Sequence, residues 1–171
     1  MMGPDGTQRF LPWHRLYLLR CEDLLRQKRP GVAIPYWDYA NDHNRPDWVW
    51  KPDGVTRGQP GARPELGSLP TQATVTGLLG AGTYQTFTTG LETKAHNEVH
   101  NWCNGTISAP PTATQDPIFW LLHGNVDRIW DTWQLTHKGV ANLSGPMAIL
   151  DPWSESFMAV NDTVALRYSY G

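Results

Sequence analysis

Apolar and polar positions follow the 3.6-residue period of an α-helix in several stretches of this chain. From about Trp13 to just before Pro30, His14, Tyr17, Leu18, Cys21, Leu24 and Leu25 fall on one inward stripe. Arg15, Arg20, Glu22, Asp23 and Arg26 take the opposite, water-facing side. Proline removes a backbone donor, so this helix ends before Pro30. Asp116-Pro117 starts another, with a carboxylate cap and proline at the first helical position. Its inward stripe is Phe119, His123, Val126, Trp130 and Trp133, and it runs to about His137, before Gly139. Further helices are expected over 92–103, after Thr71 and over 84–88.

The connections carry the glycines and prolines. Residues 1–12 read as a loop, 34–40 as a short aromatic stretch and 41–72 as a long irregular excursion over the surface. A loop over 104–114 contains Pro110-Pro111. Residues 139–171 read as an irregular tail with at most a short helix near 154–158. The expected fold class is mainly α: a helix bundle with long irregular loops and no internal repeat.

Histidines change the picture. His96 and His100 are four apart, and a helix stacks i over i+4, so both imidazoles can meet one metal ion. His123 is the natural third ligand, and three side-chain ligands leave positions open for an exogenous molecule. Taken singly, an i,i+4 pair is often a surface coincidence, and one histidine on an apolar stripe is often a hydrogen-bonded core residue. Together they would bury a cluster of imidazoles, which costs desolvation unless something compensates. His43, among Asp42, Asn44 and Arg45, reads as a solvated loop residue. His137, in a last helical turn, reads as a surface residue favoured by the helix dipole.

At 171 residues the chain is expected to form a single domain over 1–171. That size buries roughly two-thirds of its extended surface. Forty per cent apolar residues and nine Trp suit an aromatic-rich interior. A net charge of −2 gives no argument for a nucleic-acid groove. No apolar run approaches the roughly 18 residues of a membrane span. Met1 to Asp5 carries neither the charged nor the apolar region of a signal peptide. Cys21 and Cys103 make no disulfide framework, and each falls on the inward side of a helix, as a buried free thiol would. A bridge between them would need Cα atoms within about 7 Å. Sequons at Asn104, Asn142 and Asn161 are short enough to arise by chance, and the compartment stays open.

Three stretches, FLPWHRLYLLRCEDLL, HNEVHNW and DPIFWLLHGNVDRIW, resemble the copper-binding signatures of the type-3 copper family of tyrosinases, catechol oxidases and haemocyanins. Pro35-Tyr36-Trp37-Asp38 and the closing Tyr168-Ser169-Tyr170-Gly171 are similar to motifs of that family's core domain. The resemblance implies a helix bundle around two copper ions, each held by three histidines and together binding dioxygen. His96, His100 and His123 match the second copper site completely. His14 alone matches the first. Two further first-site histidines are expected upstream, one about nine residues before His14. That position is Asp5, and residues 1–13 contain no histidine.

Two explanations compete. The chain is a core domain lacking its N-terminal ligands, or it is an intact variant with one full site and Asp5 as a weak oxygen ligand. The first is favoured, and implies an incompletely covered first helix with marginal stability or self-association. In some branches of the family a glutamate and an asparagine placed like Glu92 and Asn97 hold a water that takes the proton from a monophenol. The bland alternative makes Glu92 a first-turn carboxylate favoured by the helix dipole, and Asn97 a loop anchor. Phe119, Trp120 and Trp102 are expected to pack around the pocket, and Asp127-Arg128 to form an ion pair or hydrogen-bond anchor. Leu122 replaces a histidine often found there, without loss of copper. The resemblance thus implies an oxidoreductase converting phenols and o-diphenols to o-quinones with dioxygen. Its alternatives are an oxygen carrier and a mononuclear or inactive remnant.

Overall fold

Helix α1 spans Pro4–Lys28 in the computed structural model of the chain, which describes residues 4–170. The loop expected up to residue 12 is therefore helical from Pro4, with Pro12 inside the helix. Proline leaves the carbonyl four residues back, on Gln8, without its usual N–H partner. The Tyr84 hydroxyl donates to that carbonyl at 3.0 Å, and the Thr88 hydroxyl donates to the neighbouring Thr7 carbonyl at 3.0 Å. Phe10 and Leu11 are almost wholly buried. Burying two such side chains contributes about 1.5–3 kcal/mol each, enough to offset an internal proline costing about 3 kcal/mol.

The two faces of α1 also depart from the simple stripe. Leu24 and Leu25 are 63% and 45% exposed, because the last turns of the helix are covered only by the 32–34 segment, bonded to Glu22 and Arg26. Arg15, expected to face water, is buried. Its Nε donates to Asp127 Oδ1 at 2.6 Å, and its Nη1 donates to Gln134 and to the Val160 and Asn161 carbonyls. The guanidinium lies 3.6 Å over the Trp130 ring. Tyr168 and Tyr170 each donate a hydroxyl to Asp127 Oδ2 at 2.6 Å. The C-terminal segment thus covers the face that sequence pattern assigns to solvent. Arg128 pairs instead with Asp38, at 3.0 Å.

After the long excursion come α2 (Gln72–Leu79), capped by the Thr71 hydroxyl, and α3 (Tyr84–Leu91). A π-helical turn, Glu92–His96, joins α3 directly to α4 (Asn97–Cys103). Phe87, Leu91, Ala95, Val99 and Cys103 recur every fourth residue and are all fully buried. A four-residue repeat overshoots the 3.6-residue turn, and one wide i→i+5 turn takes up the surplus. The Asn97 N–H donating to the Glu92 carbonyl is that turn's bond. Glu92 consequently lies mid-helix, which corrects the first-turn reading.

Helix α5 (Ile118–Thr136) completes the frame. Asp116 accepts from the Ile118 N–H at 3.0 Å and from Arg57 through both oxygens, at 2.8 and 2.9 Å. Arg57 also donates to the Val49 and Trp50 carbonyls, tying the excursion to the start of α5. Phe87 stacks on Trp133 at 4.7 Å, locking α3 to α5. The tail forms 3-10 turns at Gly145–Ala148 and Phe157–Val160 and a bridge between Ile149 and Ser156. Among the described residues that bridge is the whole β-structure.

Candidate metal centre

Four histidines from three helical stretches converge on one cavity. His14 comes from α1, His96 from the end of the π turn, His100 from α4 and His123 from α5. His123 Nε2 lies 3.2 Å from His96 Nε2 and 3.4 Å from His100 Nε2. His14 stacks on His123 with ring centroids 4.2 Å apart and planes within 10°. Ligand nitrogens of His14, His96 and His123 all lie within 4.8 Å of one another.

The far sides of the rings fix which nitrogens are bare. His14 Nδ1 is 2.8 Å from the Phe10 carbonyl, and His100 Nδ1 is 2.7 Å from the Ile107 carbonyl. A carbonyl only accepts, so each Nδ1 carries the proton and each Nε2 presents a lone pair. His96 Nδ1 donates to Asn97 Oδ1 at 2.9 Å, with the same result. His123 Nδ1 is buried without a hydrogen-bond partner. Lone pairs of His96 and His100 thus both face His123 Nε2, which has at most one proton to offer them. A cation resolves the conflict. Imidazoles bound tetrahedrally at about 2.0 Å sit about 3.3 Å apart, close to the separations found. The donor set, all neutral imidazole, suits copper.

Burial pushes the His14 imidazole down to about 4 and lowers His96, His100 and His123 as well. For His96 and His123 the neighbouring imidazoles add to the effect. All four stay neutral near pH 7, the form that binds metal.

The cavity above them has a volume of about 430 Å³. Phe10, Glu92, Asn97, Ser108, Pro110 and Phe119 share its walls with the histidines. Desolvation raises the Glu92 carboxyl above the usual carboxylate range, opposed in part by a hydrogen bond from Thr7. A carboxyl tuned upward beside a metal-binding cluster is a candidate proton acceptor. Phe119 lies 4.2 Å from the His123 ring and Phe10 lies 4.8 Å from both His14 and His96.

Other expectations fall elsewhere. Trp102 faces away from the cavity, its indole against Gly61 and 6.2 Å from Trp37. Trp120 packs on Tyr17 and Phe119, outside the cavity walls. His43 is exposed, and His137 stacks on Trp133. Cys103 is buried and Cys21 half-buried, both as free thiols, so the inward expectation fails in part for Cys21. Burial pushes the Cys103 thiol up to about 12. The Asp5 side chain lies outside the described residues. Phe10 and the Phe10 and Ile107 carbonyls were not foreseen: a backbone acceptor leaves no mark on side-chain pattern. Leu122 is fully buried in the core. Among the described residues no helix is long and apolar enough to cross a membrane.

Comparison with known proteins agrees with this arrangement. The family described as the common central domain of tyrosinase matches residues 4–77 and 66–136. A tyrosinase of Streptomyces glaucescens is 32% identical over 200 residues, spanning 86% of this chain and 73% of that protein. A tyrosinase of Streptomyces antibioticus is 30% identical over the same shares. Hemocyanin units G and H of Sepia officinalis are 30% identical over 162 residues, 78% of this chain and 28% of that protein.

Proposed function

Because the chain belongs to the tyrosinase central-domain family of copper-dependent, type-3 copper proteins, we propose that it oxidises phenols and o-diphenols to o-quinones with dioxygen. His96, His100 and His123 hold one copper, and His14 contributes to the companion site. Copper, when bound, supplies the redox chemistry toward dioxygen. The observation that carries this reading is the convergence of bare Nε2 atoms on His123, at 3.2 and 3.4 Å.

The chain's own residues supply the remainder. The Phe10 and Ile107 carbonyls and Asn97 Oδ1 lock three imidazoles in the tautomer that turns Nε2 inward. Phe10 and Phe119 line the cavity with apolar surface beside the ligands, against which an aromatic ring can pack. Glu92 accepts the phenolic proton of a monophenol, directly or through a water that Asn97 helps hold. Desolvation raises its pKa toward the operating pH, which suits a group that takes up a proton.

A second reading is an oxygen carrier, favoured by the likeness to hemocyanin units. A third is a centre holding a single ion, favoured by the grouping of His14 with His96 and His123. Copper loading followed by addition of a catechol and of a monophenol separates them. Quinone colour from both substrates is the expected result. Reversible dioxygen uptake without quinone selects the carrier. One copper per chain without turnover selects the single-ion centre.

A further inference from the structure

Directly outside the histidine cluster lies a connected patch of oxidisable rings. Trp13 meets His14 edge-on, with centroids 4.9 Å apart, and touches Tyr17 at 5.1 Å and Trp153 at 5.4 Å. Tyr17 lies 4.8 Å from Trp120 and 5.8 Å from Trp153. Trp120 reaches back to His123 through Phe119, by centroid separations of 5.1 and 4.2 Å. All four rings are partly exposed, so the contacts run from the cluster to solvent.

The other indoles are placed differently. Trp130 is buried under the Arg15 guanidinium, where a fixed cation opposes positive charge on the ring. Trp48 and Trp50 are 78% and 75% exposed and make none of the ring contacts that lead to the cluster.

We propose that Trp13, Tyr17, Trp120 and Trp153 form an electron relay that carries one-electron oxidising equivalents out of the histidine site when no phenol is bound. The relay rests on reading that site as one where copper meets dioxygen or hydrogen peroxide. An oxidant of that class at the site gains one electron, and the Trp13 indole loses it. The Trp13 N–H donates to the Asp151 carbonyl at 2.6 Å, so the proton of the oxidised ring stays held there. One electron from Trp153 or Tyr17 restores Trp13, and an oxidised Tyr17 gives its phenolic proton to water. A one-electron reductant in solution, ascorbate, restores the outermost ring. Each electron gained at the site is thus matched by one taken from the reductant. Without reductant, the outermost radical reacts with dioxygen and leaves an oxygenated side chain as a permanent mark.

The test treats the copper-loaded chain with hydrogen peroxide in the absence of phenol and maps oxygenated residues by peptide mass spectrometry. Copper content and catechol turnover are measured on the same preparation. The expected map has Trp153, Trp13 and Tyr17 marked, Trp48 and Trp50 marked severalfold less, and all marks suppressed by ascorbate. Trp13→Phe lowers the mark on Trp153 severalfold and raises oxidation of the histidines. Trp153→Phe moves the mark to Tyr17 and Trp120. Marks that follow exposure, with Trp48 and Trp50 first, overturn the relay, as do marks confined to histidines while copper is bound and catechol is turned over. A chain that neither holds copper nor oxidises catechol overturns the reading of the site, and the relay with it.

Discussion

The Tyr84 hydroxyl donates to the Gln8 carbonyl, the acceptor that Pro12 leaves unpaired in the middle of α1. This bond lets a proline sit two residues before His14 without breaking the helix that presents it. Tyr84→Phe leaves that carbonyl unsatisfied, at about 1–3 kcal/mol. For a chain of this size the melting temperature then falls by about 2–4 °C per kcal/mol. Thermal melting checks this; an unchanged midpoint contradicts it.

Asp127 joins α5 to α1 through Arg15 and to the tail through Tyr168 and Tyr170. Removing its charge strands a buried guanidinium, so Asp127→Ala is expected to cost about 3–5 kcal/mol. Tyr168→Phe and Tyr170→Phe each lose one bond to a charged acceptor, about 1.5–3 kcal/mol. Because both bonds end on one oxygen, either hydroxyl alone still satisfies it, and the double variant costs more than the two singles together. Urea denaturation of the four variants checks the order, and strict additivity contradicts the shared acceptor.

How much of this was legible in the sequence depends on which force set each feature. The periodic runs gave helices α1 and α5, and the i,i+4 spacing with the stripe of α5 gave the histidine cluster. What pattern missed was decided by distant partners. Pro12 reads as a helix breaker because nothing local reveals Tyr84. Arg15 reads as solvated because its acceptor lies in α5 and its cover in the tail. The π turn was hidden although its cause, an apolar residue at every fourth position from Phe87 to Cys103, is present in the sequence. Trp102 reads as a pocket residue beside His100, but its indole faces the excursion instead.

Burial holds His14 near 4, below the value of about 6.5 that histidine has in an unfolded chain. Between those values the unfolded chain binds more protons, so stability falls as pH falls. His96, His100 and His123 are lowered too and act in the same direction. The metal-free protein is therefore expected to lose stability steadily from pH 6.5 toward pH 4. Chemical denaturation at several pH values checks this; stability that rises on acidification contradicts it.

The role proposed for Glu92 is proton transfer from monophenols. Glu92→Gln is expected to lower monophenol turnover by about 10²-fold or more. Diphenol turnover and copper content should remain near those of the parent. Steady-state rates on both substrate types check this. An equal loss on both indicates a structural role for Glu92.

The converging imidazoles are proposed to bind copper, and the copper retained after exhaustive dialysis tests this most directly. His123→Ala removes the ring at the centre of the cluster, whereas His137→Ala removes one stacked on Trp133 away from it. Parent and His137→Ala should retain copper alike, and His123→Ala should lose the ion held with His96 and His100. Full retention by His123→Ala, or equal loss from both variants, would contradict the account.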